Sequence, residues 1–195
     1  MDVNRYLETI HLAEGLKDEL RHCYTSKGRH ESVAEHSWRI TLMAYFLKDE
    51  FPDADIDKVI RMCIIHDLGE VFTGDIPTFM KTGADETVEE NLLDNWVASL
   101  PAPYDQEMKE LYREMKEQKT IEAKIYKAMD SLEALISHNE SDIHTWSENE
   151  YSLNLTYADD RVAFSDYLTK LREAIRQETI QKIEEAKTEV QKLEE

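Results

Sequence analysis

Apolar residues along this 195-residue chain recur every three or four positions, and no segment sustains the alternation of a half-buried strand. Ser32-Val-Ala-Glu35 has the form of a capping box. It predicts a helix whose apolar face carries Ile40, Met43, Ala44 and Leu47, with His36 on that stripe one turn earlier. A second helix from about Ile56 carries Val59, Ile60, Cys63 and Ile64 into His66-Asp67, and Gly69, Gly74 and Pro77 then break the chain into a turn-rich segment. A third, from about Glu86 to Ser99, is expected to turn Val88, Leu92, Leu93 and Trp96 inward before Pro101 and Pro103 end it. Two more follow, near Gln106 to Lys116 and near Ile121 to Asn139, the latter with Ile121, Ile125, Met129, Leu132 and Ile136 at helical spacing.

Punctuation is lopsided. All five glycines lie at or before Gly83 and the last proline is Pro103, so the 92 residues from Tyr104 to Glu195 contain neither. That stretch is rich in Glu, Lys, Gln, Leu and Ala, which favour helix. Its end carries Leu168, Leu171 and Ile175, then Ile183, Ala186, Val190 and Leu193, the last four spaced 3, 4, 3. This spacing suits a packing seam with a partner helix, and an ordinary amphipathic terminal helix is the simpler reading. The pattern predicts an essentially all-α protein. The length fits one domain over 1–195, with a core at about 10–140 and a helical extension at about 141–195.

Composition narrows the partners. The net charge of −19, from 42 acids against 23 scattered Lys and Arg, would repel a nucleic-acid polymer. A small phosphorylated substrate stays compatible, because one metal and an arginine can dominate the field inside a pocket. Cys23 and Cys63 have neither disulfide-framework nor zinc spacing, no apolar run approaches the ~20 residues that span a bilayer, and the first residues lack signal-peptide blocks. These features lead to the expectation of a cytoplasmic protein without membrane contact.

Against that background His36, the adjacent pair His66-Asp67 and the later Asp130 stand out. Two imidazoles and two carboxylates suit one divalent transition metal with positions left for water and substrate. Burying His66-Asp67 after the apolar Cys63-Ile-Ile run is costly unless a charge compensates. Neighbours on a helix point ~100° apart, which lets the pair approach one ion from two directions. The first turn of a helix, where His36 falls, favours the neutral imidazole that binds metals.

The ordered series Leu16-Lys17, Arg21, Ser32-Val-Ala-Glu-His36-Ser37, His66-Asp-Leu-Gly-Glu70-Val71, Gly74-Asp75-Ile76-Pro77-Thr78, Lys81 and Lys127-Ala-Met-Asp130 resembles the HD-domain metal-dependent phosphohydrolases. Within them it is most similar to the small YfbR-like 5′-deoxynucleotidases, over roughly positions 10 to 140. The resemblance implies an HD-domain helical bundle with an extended C-terminal helix, a homodimer, and a metal held by His36, His66, Asp67 and Asp130. It further implies Glu70 as general acid/base, Arg21 as phosphate-orienting residue, and Asp75 with Ile76, Pro77 and Thr78 at the nucleoside end. The substrate implied is a (deoxy)nucleoside 5′-monophosphate, cleaved to nucleoside and phosphate.

Three features depart from related patterns. His22 follows Arg21 where the branch can carry a tryptophan beside the sugar, which leaves deoxyribose selection open. No histidine lies between Asp67 and Asp130, so one metal is expected rather than two. Val71 follows Glu70 where guanosine tetraphosphate hydrolases carry an acid. The ligand set leaves Mn, Co, Fe and Ni open. Two rival readings keep the site: hydrolysis of a triphosphate or pyrophosphate, and a non-catalytic nucleotide sensor.

Overall fold

The computed structural model describes residues 1–76 and 80–194; the side chains of Val190, Leu193 and Glu194 lie outside the described ones. Helices dominate, as the periodicity requires, and the one sheet among the described residues is a two-stranded hairpin, β1 (Leu20–Tyr24) and β2 (His30–Ser32). The periodicity does not predict this hairpin. Its second strand is three residues long, too short to show alternation, and its turn rests on Gly28 at φ +79° with Gly28 N–H donating to the Thr25 carbonyl at 2.9 Å. No helix among the described residues is long and apolar enough to cross a membrane, and both cysteines are free and buried.

Two compact units make up the chain. The first, Met1–His22 with Glu31–Tyr126, holds α1 (Val3–Glu14), α2 (Val33–Tyr45), α3 (Ile56–Ile65), the single turn α4 (Glu70–Thr73), α5 (Gly83–Ala98), α6 (Tyr104–Glu117) and the start of α7 (Ile121–Glu140). The expected capping box opens α2: Glu35 N–H donates to Ser32 Oγ, and Ser32 N–H donates to Glu35 Oε2 at 2.9 Å. Such a cap is worth about 1 kcal/mol and fixes the register of the first turn. On α2 Ile40 and Ala44 are buried with His36 and Met43 is half-buried, and Leu47 just beyond the helix is buried too. A core of Leu16, Val33, Leu68, Leu93 and Val97 lies beneath, with Ile65, Val71, Trp96 and Tyr112 packed on it.

Two inward stripes differ from the sequence reading. On α3 Ile64 is 53% exposed and Met62 fully buried, so the inner face runs Ile56, Val59, Met62 and Cys63. On α5 Val88 and Leu92 are exposed, whereas Leu93 and Val97 are buried and Trp96 half-buried. The helix is rotated so that Glu89, one and two turns before Leu93 and Val97, joins the inner stripe. An acid on that face has a partner, described below.

The second unit, Cys23–His30 with Lys127–Glu195, contains most of α7, then α8 (Glu150–Leu153), α9 (Asp159–Val162) and α10 (Asp166–Glu194). The interior of α7 is buried on nearly every side; Met129, Leu132 and Glu133 are inaccessible, while Ile121 is exposed and Ile136 half-buried. The long terminal helix forms as expected, but its buried stripe runs Leu168, Arg172, Ile175 and Thr179, with Leu171 half-buried. Polar groups enter that stripe because they find partners: Thr179 Oγ1 donates to Asn139 Oδ1 at 2.8 Å, and Asn139 Nδ2 donates to the Ile175 carbonyl at 3.0 Å. Ile183 and Ala186 are half-buried.

Candidate metal centre

The site begins at the C-terminal end of α3, where the last carbonyls of any helix lack intrahelical donors. Two side chains supply them. Tyr112 Oη on α6 donates to the Ile65 carbonyl at 2.6 Å, and His66 Nδ1 lies 2.9 Å from the Cys63 carbonyl. A carbonyl only accepts, so Nδ1 carries the proton and Nε2 presents a lone pair. Burial, with Asp67 and Glu89 nearby, raises the Tyr112 phenol pKa well above its ordinary value, so it remains a donor.

The His66 lone pair points into a group of like atoms. Its Nε2 lies 3.2 Å from His36 Nε2 and 2.8 Å from Asp67 Oδ2, and His36 Nε2 lies 3.8 Å from the same oxygen. His36 is 1% exposed and reaches this point from the first turn of α2, which the capping box holds in place. Electron-rich atoms at such separations repel one another unless a proton or a cation lies among them. Donors at about 2.1 Å from one ion stand about 3.0 Å apart at right angles and up to about 4 Å apart at wider angles, a range that includes the three spacings seen. Neutral imidazoles and a carboxylate are also the donor chemistry of Mn, Fe, Co and Ni sites. The residues present fit a divalent ion, and His36, His66 and Asp67 are the group that could hold one among the described residues.

Around this group the carboxylates outnumber the cations. Glu70 opens α4, is 7% exposed, and its Oε2 is buried with no hydrogen-bond partner among the described residues. Burial first, then the charges of Asp67, Asp75 and Glu89, push its pKa up to about 10 against the pull of Lys81. Burial likewise raises the Asp75 carboxyl, opposed chiefly by Arg21 and reinforced by Asp67. Arg21 on β1 places Nη1 2.7 Å from Glu31 Oε2 on β2, both side chains largely buried. Lys81 Nζ lies 2.6 Å from Glu89 Oε2. Burial works against the Lys81 charge, yet the Glu89 hydrogen bond and the acids around it raise its pKa. Among the described residues named here, five acidic side chains (Glu31, Asp67, Glu70, Asp75, Glu89) stand against the two cations Arg21 and Lys81. A phosphate dianion would be repelled from this array without an added positive charge.

Most of the residues named from the sequence assemble here: His36, His66, Asp67, Glu70, Asp75 and Arg21 belong to the first unit, and the charges of Asp67, His36 and Arg21 act on Asp75 while those of Asp67 and Asp75 act on Glu70. His22 follows Arg21 on β1 and Ile76 is half-buried after Asp75; Pro77 and Thr78 lie outside the described residues. Asp130 belongs to the second unit, on α7, where Lys127 Nζ lies 2.7 Å from Asp130 Oδ2 and has its pKa raised by that charge. Sequence reasoning missed Glu31, Glu89 and Tyr112. Glu89 could have been found by drawing the α5 stripe through Leu93 and Val97; Glu31 and Tyr112 leave no periodic signal.

A helical protein with a buried His/His-Asp centre beside an orphan carboxyl is the class these features define. The chain belongs to the HD domain family, whose model matches residues 13–187. Among curated proteins it is similar to proteins named 5′-deoxynucleotidase HDDC2: those of Bos taurus and Homo sapiens are each 30% identical over 119 residues, 60% of this chain. The match spans 57% of the length of each. Among solved structures, a predicted metal-dependent phosphohydrolase from Magnetospirillum magnetotacticum MS-1 aligns with a TM-score of 0.79 at 25% identity, covering 92% of this chain and 96% of that one. An HD-domain phosphohydrolase from Listeria innocua shares the fold, with a TM-score of 0.60 at 22% identity over 96% of this chain and 82% of that one.

Proposed function

We propose that the chain is a metal-dependent phosphomonoesterase that hydrolyses (deoxy)nucleoside 5′-monophosphates to nucleoside and phosphate. The observation that carries this reading is the convergence of His36, His66 and Asp67 next to the buried, unpartnered Oε2 of Glu70. The names of the relatives above support the substrate class. Residues 1–195 form a single domain in this reading, which the span of the HD match supports.

His36, His66 and Asp67 would hold one divalent ion of the Mn, Co, Fe or Ni type, and the family resemblance offers Asp130 as a fourth ligand. Such an ion lowers the pKa of water and polarises a phosphoryl oxygen. The chain's own residues do the rest. Glu70 Oε2 has no hydrogen-bond partner among the described residues, so it is placed to take the proton of the attacking water and return it to the leaving oxygen. Burial and the neighbouring acids raise its pKa when no metal is bound, and a cation held beside it would favour the ionised form that takes the proton. Arg21 offers planar donors to the remaining phosphoryl oxygens. Asp75, His22 and Ile76, with Pro77 and Thr78, contact the nucleoside.

The protein works as a cytoplasmic homodimer. Trp38 and Tyr45 on α2, with Phe46 after it, are 65%, 61% and 72% exposed, and Leu42 falls on the same face. Aromatics of ~200 Å² each, more than half exposed, leave a few hundred Å² of apolar surface for a second copy to cover.

The test is phosphate release from a panel of 2′-deoxy and ribo 5′-monophosphates with Mn²⁺ or Co²⁺, beside a His66→Ala/Asp67→Ala control. Release by the wild type alone supports the reading, and the deoxy/ribo ratio shows whether His22 permits sugar selection. Pyrophosphate or triphosphate appearing from triphosphates, with monophosphates untouched, would replace it with the polyphosphate reading. Silence from a metal-loaded protein would leave the sensor.

A further inference from the structure

The Arg21–Glu31 pair raises a question that the reaction alone does not answer. A residue meant for phosphate is already bonded to an acid at 2.7 Å, and both side chains are nearly buried, at 12% and 8% exposure. A carboxylate facing an incoming anion is unfavourable unless it does something for the cation between them.

What Glu31 does follows from where it is anchored. It directly precedes Ser32, the cap of α2, whose two reciprocal bonds with Glu35 lock the backbone at that point. His36 follows one residue after Glu35, so the same capping box sets the backbone from which Glu31 and His36 project. Arg21 sits on the other strand of the hairpin and has a long, rotamer-rich side chain. It also feels the charge of Asp75. Without the bond to Glu31, the guanidinium would be drawn towards the acids of the centre. That collapse would cover Asp75 and withdraw donors from the phosphoryl oxygens.

We propose that Glu31 is a positioning residue: its buried carboxylate holds the Arg21 guanidinium in register with the metal ligands, so that its planar donors meet the phosphate. The assignment rests on the reading of Arg21 as phosphate ligand and deepens it. Glu31 touches no substrate and acts through Arg21.

A double-mutant cycle with two readouts tests this. Wild type, Glu31→Gln, Arg21→Ala and the double variant, all loaded with Mn²⁺, are titrated with inorganic phosphate by calorimetry and assayed on deoxynucleoside monophosphates. The expected result is about tenfold weaker phosphate binding and about tenfold lower kcat/KM in Glu31→Gln, with metal content unchanged. The double variant should be no worse than Arg21→Ala alone. Wild-type behaviour of Glu31→Gln, or losses that multiply in the double variant, would overturn the proposal, and so would a wild type that binds no phosphate. Glu31→Asp, one carbon shorter, should recover part of the loss; a purely structural role predicts the opposite order, with Gln tolerated and Asp not. The cycle pattern in phosphate binding without any monophosphate turnover would keep Glu31 in this role and sink the substrate reading instead.

Discussion

Gly69 and Glu89 approach so closely that a Cβ on Gly69 would stand 2.9 Å from Glu89 Cγ and 3.1 Å from Glu89 Oε1. Gly69 is therefore a spacing element between the Glu70 turn and α5, and the acid it admits is the one that holds Lys81. Gly69→Ala should push Glu89 and Lys81 away from Glu70. The expected cost is about 1–3 kcal/mol in stability, as for other overpacked sites, and a fall in kcat/KM with metal content retained. Glu89→Gln, which weakens the Lys81 contact without the steric push, should reproduce the kinetic loss at near-normal Tm. A Gly69→Ala protein with wild-type kinetics would show that the Lys81–Glu89 pair is remote from the reaction.

The metal reading makes a direct claim about binding. His36→Ala, His66→Ala and Asp67→Ala should each purify with little metal, whereas wild type prepared without chelator should carry close to one ion per chain by elemental analysis. EDTA should lower the Tm of wild type and Mn²⁺ should restore it, because a ligand bound only by the folded state stabilises it. Asp130→Asn separates two roles for that carboxylate. A fourth ligand predicts metal affinity at least about tenfold weaker; unchanged affinity would remove Asp130 from the ligand set and leave its pairing with Lys127, 2.7 Å away, as a structural contact.

Much of this centre was legible because metal chemistry restricts residue choice. Imidazole and carboxylate pairs on apolar helix faces have few inexpensive explanations, so His36 and His66-Asp67 stand out, whereas Glu70 is singled out only by the family resemblance. The capping box at Ser32 and the helical spacing were equally readable, since each depends on residues close in sequence. Long-range pairing was not. Nothing local says that Glu31 meets Arg21 across a hairpin whose second strand is three residues long. Nor does periodicity choose between neighbouring stripes on α5. The choice of Glu89 over Val88 is settled by Lys81 and by the space above Gly69, which come from elsewhere in the chain.

Glu70 ties stability to pH. In the fold its pKa stands near 10, against an ordinary value of 4.5. Between those values the folded protein holds a proton that the unfolded chain has released, so metal-free stability falls as pH rises through this window. Glu70→Gln cannot titrate and escapes the loss. In EDTA, Tm of Glu70→Gln minus Tm of wild type should therefore be small near pH 4.5 and grow towards pH 9. In the metal-loaded protein the same substitution should retain metal and lower kcat by about 10²-fold or more, the usual contribution of a positioned proton carrier. A pH-independent Tm difference would mean that Glu70 is ionised in the metal-free fold.

Arg172 in the second unit offers a test away from the reaction. It is 1% exposed on the inner stripe of α10, with Nε donating to the Tyr157 carbonyl at 2.8 Å and Nη2 to the Asn154 carbonyl at 3.0 Å. It also pairs with Asp159 at 3.2 Å, but that carboxylate is 44% exposed and is shared with Arg176. An exposed ion pair contributes little, whereas a buried carbonyl stripped of its donor costs about 1–3 kcal/mol. Arg172→Met keeps the apolar stem and removes both donors, and it also relieves the burial that lowers the arginine's own pKa. The two carbonyls outweigh that relief, so the variant should lose about 1–3 kcal/mol, a Tm drop of several degrees for a chain of this size. Asp159→Asn, which weakens the ion pair and leaves the carbonyl bonds in place, should cost less than about 1 kcal/mol. Equal losses in the two variants would mean that the ion pair, and not the carbonyl bonds, holds the segment after α8 against α10.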